Sequence, residues 1–148
     1  MGTISKNFSY REFEKSDTAD RMGICNVIIT VRVRDAVRAL TLNILQPLRD
    51  AVKRAVRISS GFRCQDLNKA VGGVETSQHT KGEAADIYVL LDDGSRMPSV
   101  ELARLIIDLQ LPFDQLILYP TFVHVSHKLD GAQRGNVLYN KSYKGPKV

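Results

Sequence analysis

Two strand-like runs near the C-terminus constrain the fold of this chain more than any other feature. FDQLILY (residues 113–119) and FVHVSHKL (122–129) are rich in β-branched and aromatic residues and are separated only by Pro120 and Thr121. So short a connection is typical of an antiparallel hairpin. We therefore predict that at least part of the sheet in this protein is antiparallel.

The segments before this hairpin predict helices first and strands later. The first thirty residues are predicted to form short helical segments, one beginning at the capping-box pattern SYRE (9–12) and one at Ser16 or Asp17. RDAVRALTLNILQPLRDAVKRA (34–55) has apolar residues at helical intervals and is predicted to be a long amphipathic helix that Pro47 kinks or breaks.

Two further strands and one further helix complete the predicted fold. VRISSG (56–61) and AADIYVLL (84–91) are the strands, and PSVELARLIIDLQL (98–111) is a helix with Ser99 as its N-cap. The result is an α+β fold in which a small, mainly antiparallel sheet packs with helices.

Composition narrows the classes of partner and location. At 148 residues, with 43% hydrophobic and 25% charged residues, the chain predicts one globular domain over residues 1–148, and we expect a monomer. The net charge of +5 favours an anionic partner, but the lysines and arginines are scattered, which argues against nucleic acid. No apolar run resembles a signal peptide or a membrane span. We therefore expect synthesis in the cytoplasm and no membrane partner.

The stretch SQHTKGEAAD places His79 and Asp86 seven positions apart across a glycine, Gly82. His124 follows much later, in the second strand of the hairpin, where alternation of side chains puts His127 on the opposite face. Two imidazoles and one carboxylate are a recurrent ligand set for catalytic zinc. The pattern thus predicts a zinc site, although the spacing alone also fits an ordinary polar turn.

Three motifs in sequence order carry a resemblance to a known family. SGFR (60–63), SxHxxGxAxD (77–86) and VHVS (123–126) resemble motifs of the zinc D-Ala-D-Ala carboxypeptidase family, and the resemblance extends over residues 8–128. That family includes bacterial D,D-peptidases and phage L-alanyl-D-glutamate endolysins, and it shares its fold with the hedgehog signalling domain. The resemblance implies a hedgehog/DD-peptidase-like fold.

The resemblance also implies roles for individual residues. His79, Asp86 and His124 would hold Zn²⁺. Arg63 would lie near the carbonyl or carboxylate of the substrate, where a guanidinium can stabilise an oxyanion or bind a terminal carboxylate. Ser77 would contact the substrate.

The activity implied by the resemblance is zinc-dependent hydrolysis of peptide bonds next to D-amino acids in bacterial peptidoglycan stem peptides. The choice between carboxypeptidase and endopeptidase action stays open. A phage enzyme of this kind would reach the cell wall through a phage lysis system. The alternative is a zinc-containing module that binds the cell wall or a protein and has little or no peptidase activity.

The chain departs from the family at the group that transfers protons. Members of the family carry an acidic residue either three positions before the last zinc histidine or at the end of the preceding strand, and these positions are Thr121 and Tyr119 here. Asp114, Glu83, His127 and Tyr119 remain as alternatives. The sequence does not select among them.

Overall fold

Helices pack around a five-stranded sheet in the computed structural model, which describes residues 2–148. The strands are β1 (Thr3–Ser5), β2 (Phe8–Ser9), β3 (Val56–Ser60), β4 (Ala84–Val89), β5 (Gln115–Leu118), β6 (Val123–Ser126) and β7 (Asn136–Tyr139). The α-helices are α1 (Tyr10–Glu14), α2 (Asp17–Met22), α3 (Val31–Leu40), α4 (Gln46–Val52), α5 (Gln65–Ala70) and α6 (Ser99–Asp108). A π-helical segment (Thr41–Leu45) joins α3 to α4, and a 3₁₀ helix (Gln78–Lys81) precedes β4.

The five-stranded sheet has the order β3-β4-β6-β5-β7. The pairs β3–β4, β4–β6 and β6–β5 are antiparallel. The predicted hairpin is confirmed as β5 and β6, closed by a hydrogen bond of 3.0 Å from Tyr119 N to Phe122 O. β7 pairs parallel to β5 and was not predicted, so the sheet is mixed. The predicted α+β class with a mainly antiparallel sheet is confirmed.

The N-terminal segment contains both predicted helix starts and an additional hairpin. Ser9 N donates to Glu12 Oε2 at 2.8 Å at the start of α1, and Ser16 Oγ accepts a hydrogen bond from Ala19 N at the start of α2. β1 and β2, however, form a separate antiparallel pair. The prediction of helical segments alone was therefore incomplete here.

The predicted amphipathic helix takes π-helical geometry just before Pro47, which lies in the first turn of α4. Because proline has no N–H, it cannot donate to the carbonyl four residues earlier, and the π-helical segment lies directly before α4. The inward face of the three helical pieces is fully buried and comprises Val37, Leu40, Ile44, Leu45 and Leu48. Within residues 2–148, no helix is both long enough and apolar enough to cross a membrane.

Helix α6 is fixed to the β5–β6 hairpin at its first residue. Pro98, not Ser99, occupies the N-cap position, so the predicted cap is wrong by one residue. Ser99 Oγ instead donates a hydrogen bond of 2.6 Å to Tyr119 O. This contact ties the start of α6 to the end of β5, while Leu102 and Ile106 of the same helix are buried in the core.

Candidate metal centre

A capped 3₁₀ helix and a glycine turn bring His79 close to strand β4. Ser77 Oγ accepts a hydrogen bond of 3.2 Å from His79 N, and Gly82 ends the helix with a φ of 72°. A Cβ at Gly82 would lie 2.8 Å from Val33 O, so this position needs glycine both for its backbone angle and for its close contact with α3. The chain then turns directly into β4, which carries Asp86.

The register of β4 and β6 places Asp86 directly opposite His124. Paired residues in adjacent strands project from the same face of a sheet, so their side chains meet. The candidate ligand atoms of His79, Asp86 and His124 all lie within 4.8 Å of one another, and all three residues are buried. The structure thus brings the three predicted ligands together.

The hydrogen bonds of the two histidines show which ring nitrogens face the centre. His79 Nδ1 lies 2.7 Å from Gly61 O, and because a carbonyl can only accept, Nδ1 carries the hydrogen. His79 Nε2 is therefore the nitrogen with a lone pair, 3.3 Å from Asp86 Oδ1. His124 approaches the same oxygen through Nδ1, at 3.0 Å.

Asp86 is an ionised carboxylate despite its burial. Burial is the largest influence on its pKa and raises it, but the ring nitrogens of His124 and His79 beside the carboxylate outweigh burial and hold the pKa well below its usual range. One carboxylate oxygen and two imidazole nitrogens within a few ångströms match the ligand chemistry of zinc and leave a fourth position open. The residues present therefore fit a zinc ion.

Arg63 follows β3 and directs its guanidinium towards the three candidate ligands. Its Nη2 lies 4.0 Å from Asp86 Oδ2, while Nε donates to Ser60 Oγ at 3.2 Å and Nη1 to Asn68 Oδ1 at 3.1 Å. Burial lowers the pKa of Arg63 and Asp86 opposes this effect, so the guanidinium remains charged at neutral pH. Asn68, in α5, was not identified from the sequence, because no motif marks it.

A cavity of about 280 Å³ opens onto the candidate ligands. Besides His79, Asp86 and His124, its lining includes Arg63, Ser77, Gln78, Gln115 and Tyr119. Asp86 is the one carboxylate among these residues. Burial is the main cause of the raised pKa of Tyr119, and the charge of Asp86 adds to it, so the phenol is protonated at neutral pH.

The other three proton-transfer candidates do not line this cavity. His127 Nδ1 lies 2.8 Å from Pro112 O, beyond the end of β6. Glu83 is buried and its Oε2 accepts a hydrogen bond of 3.0 Å from Leu129 N. Asp114 has no exposed surface and is bound by the Arg134 side chain.

The ion pair between the buried Asp114 and the exposed Arg134 predicts a loss of stability on mutation. Arg134 Nε and Nη2 donate to the two carboxylate oxygens at 3.0 and 2.7 Å. Asp114→Ala is expected to lower the free energy of unfolding by about 2 kcal/mol, because the backbone N–H of Arg134 and the side-chain amide of Gln78 lose their acceptor. Asp130→Ala, which removes an exposed ion pair with Arg32, is the control and should have a much smaller effect, because exposed ion pairs contribute little to stability. Chemical denaturation of both variants measures the difference, and equal losses would contradict a special role for the buried carboxylate of Asp114.

The same pair predicts how stability depends on pH. Hydrogen bonds from Arg134 hold the pKa of Asp114 at about 2 in the folded protein, against an unfolded value of about 4. The stabilisation is therefore complete above pH about 4 and is lost as the pH falls towards 2. Asp114→Asn should show a weaker pH dependence in that window than the unsubstituted protein.

Comparison with known proteins adds one finding. A family model described as Peptidase M15 matches residues 6–126, which is more than half of the chain. No curated protein matches the sequence. The matched range contains His79, Asp86 and His124, together with Arg63 and Tyr119. Strand β7 lies outside it.

Proposed function

This chain belongs to the peptidase M15 family, the family of the zinc D-Ala-D-Ala carboxypeptidases, and we propose that it is a zinc-dependent peptidase acting on peptidoglycan stem peptides. Membership of a peptidase family implies a peptide substrate. The observation that carries the proposal is the convergence of His79, Asp86 and His124 on one face of the sheet, within a cavity that also holds a charged arginine.

Zinc bound at the centre would lower the pKa of a water molecule towards about 7 and polarise a peptide carbonyl. His79 Nε2, Asp86 and His124 Nδ1 would hold the ion. Arg63, fixed by Ser60 and Asn68, points its charge into the cavity and would bind the oxyanion or the terminal carboxylate of the substrate.

Two hydroxyl groups line the same cavity and complete the proposed set of roles. Ser77 Oγ already accepts from His79 N, so its hydrogen is the group it can offer to a substrate. Tyr119 is protonated at neutral pH and is therefore a hydrogen-bond donor, not a base. We assign it to donate to the carbonyl oxygen as negative charge develops there.

The choice of an anionic cell-wall peptide as substrate is supported by a second cavity of about 630 Å³. The two cavities share Thr76, Gln78 and Gln115, so a chain extending from the centre can enter the larger one. Four cationic side chains line it, those of Arg32, Lys81, Lys128 and Arg134, against Glu83 and Asp130 in the lining and Asp114 beside Arg134 and Lys128, which leaves an excess of one positive charge. An extended peptide with carboxylates beyond the scissile bond fits this charge.

The experiment is digestion of defined stem peptides by the zinc-loaded protein, with fragments identified by mass spectrometry. We expect cleavage beside a D-amino acid that stops when a chelator removes the metal and resumes when zinc is restored. Release of a single terminal residue would identify a carboxypeptidase, and release of larger fragments an endopeptidase.

The second candidate function is a zinc-containing module that binds the cell wall without cleaving it. One feature of the cavity favours this alternative. Asp86 is the one carboxylate in its lining, and as a metal ligand it would not be free to transfer protons. Stoichiometric zinc, retention on purified peptidoglycan and no released fragments would support the binding module and contradict the peptidase.

A further inference from the structure

A chain of polar contacts leads from the buried carboxylate of Asp114 to the candidate metal centre. Gln78 Nε2 donates a hydrogen bond of 3.1 Å to Asp114 Oδ2, and Gln78 Oε1 lies 3.4 Å from His124 Nε2. Gln78 therefore stands between a carboxylate that has no solvent exposure and one of the three candidate ligands.

The charge state of Asp114 fixes the orientation of the Gln78 amide. Arg134 donates two side-chain hydrogen bonds to Asp114, and Lys128 Nζ lies 3.8 Å from it, so the carboxylate is ionised and can only accept hydrogen bonds. The amide must then point its NH₂ group at Asp114. Its oxygen is left facing His124.

The orientation of the amide in turn determines which nitrogen of His124 carries the hydrogen. An amide oxygen accepts only, so Nε2 of His124 must be the donor. In a neutral imidazole the other nitrogen, Nδ1, then has the lone pair, and Nδ1 is the atom 3.0 Å from Asp86 Oδ1. A lone pair and a carboxylate oxygen so close together need a cation between them, which is the role of a bound metal ion.

We propose that Asp114 and Gln78 act as positioning residues that select the tautomer of His124, so that Nε2 holds the hydrogen and Nδ1 faces the metal position. This inference rests on the metal centre of the proposed function. It assigns Asp114 a role two contacts away from the metal, in place of the proton transfer considered for it from the sequence. Groups that hydrogen-bond to metal-bound histidines commonly change metal affinity by about 10- to 100-fold.

The test is the zinc dissociation constant, measured by competition with a chromophoric chelator, for three proteins. Gln78→Met keeps the size of the side chain but removes both hydrogen bonds, and is expected to weaken zinc binding about 10- to 100-fold. Gln78→Glu keeps an oxygen acceptor for His124 Nε2, with its other oxygen protonated to donate to Asp114, since two carboxylates this close cannot both be ionised; zinc affinity is expected to stay within about threefold of the unsubstituted protein. Gln65→Met makes the same change at an exposed glutamine of α5, outside both cavities, and is the matched control, with no expected change in zinc affinity.

Nitrogen-15 spectra of histidine-labelled, zinc-loaded protein give a readout that a merely structural role would not move. We expect a His124 Nε2–H signal protected from solvent exchange in the unsubstituted protein and unprotected in Gln78→Met. Equal zinc affinities for Gln78→Met and the unsubstituted protein, or equal losses in Gln78→Met and Gln78→Glu, would overturn the inference. Failure of the unsubstituted protein to bind zinc would overturn the metal centre itself, which is a distinguishable result.

Discussion

Replacing Asp86 with alanine is expected to abolish zinc retention. Asp86 Oδ1 lies 3.3 Å from His79 Nε2 and 3.0 Å from His124 Nδ1, so its removal takes away the central ligand and the only negative charge in the cavity. A site with three protein ligands has no spare donor. Metal content after gel filtration, measured by atomic emission, should fall from one zinc per chain to background.

Two companion variants show whether such a loss is specific. His79→Ala should lose zinc as Asp86→Ala does, because it removes another of the converging atoms. His127→Ala removes a histidine that hydrogen-bonds to Pro112 O and does not line the cavity, so it should keep its zinc. A folded Asp86→Ala protein with full metal content would refute the proposed centre.

Replacing Arg63 with alanine is expected to leave zinc bound and to reduce turnover about 100-fold. Arg63 is not a ligand, yet its Nη2 lies 4.0 Å from Asp86 Oδ2 and its guanidinium lines the cavity. If it stabilises charge that develops during the reaction, kcat falls more than KM rises. If it binds a substrate carboxylate, KM rises instead. Steady-state kinetics with a stem peptide separates these two roles.

Controls for Arg63 come from the preceding strand, β3, and from the same cavity. Arg57→Ala changes an exposed arginine of β3 and should have normal kinetics. Tyr119→Phe removes one hydroxyl donor and is expected to reduce kcat by about tenfold, less than the loss of a fixed charge. Normal kinetics in a zinc-loaded Arg63→Ala protein would exclude Arg63 from catalysis and from substrate binding.

The features that could be predicted from the sequence depend on residues close together in the chain. The β5–β6 hairpin follows from a two-residue connection, and the interruption near Pro47 follows from a missing N–H. β7 was missed because its four residues form a parallel pair with β5, and the hairpin partner β6 lies between the two in the chain. Local sequence carries no signal for such a pairing.

For the candidate site, too, the residues close together in the chain could be predicted and the contacts between distant residues could not. The loop that carries His79 and Asp86 was recognisable because a glycine turn and a strand follow one another directly. Asp114 was considered as a base because it begins the strand that leads towards the site, and its partner could not be seen from the sequence. Arg134, twenty positions later, supplies that partner. Contacts of this kind form only in the tertiary structure, so they could not be predicted from the sequence motifs.

The pairing of Asp86 with His124 across β4 and β6 has a consequence for folding. Side chains alternate along a strand, so a slip of one residue would carry His124 to the other side of the sheet and put Val123 or Val125 in its place. Such a misaligned chain would lack one of the three donors. Because zinc would bind only the correctly aligned sheet, its binding free energy would stabilise the native register of β4 and β6 relative to the shifted one.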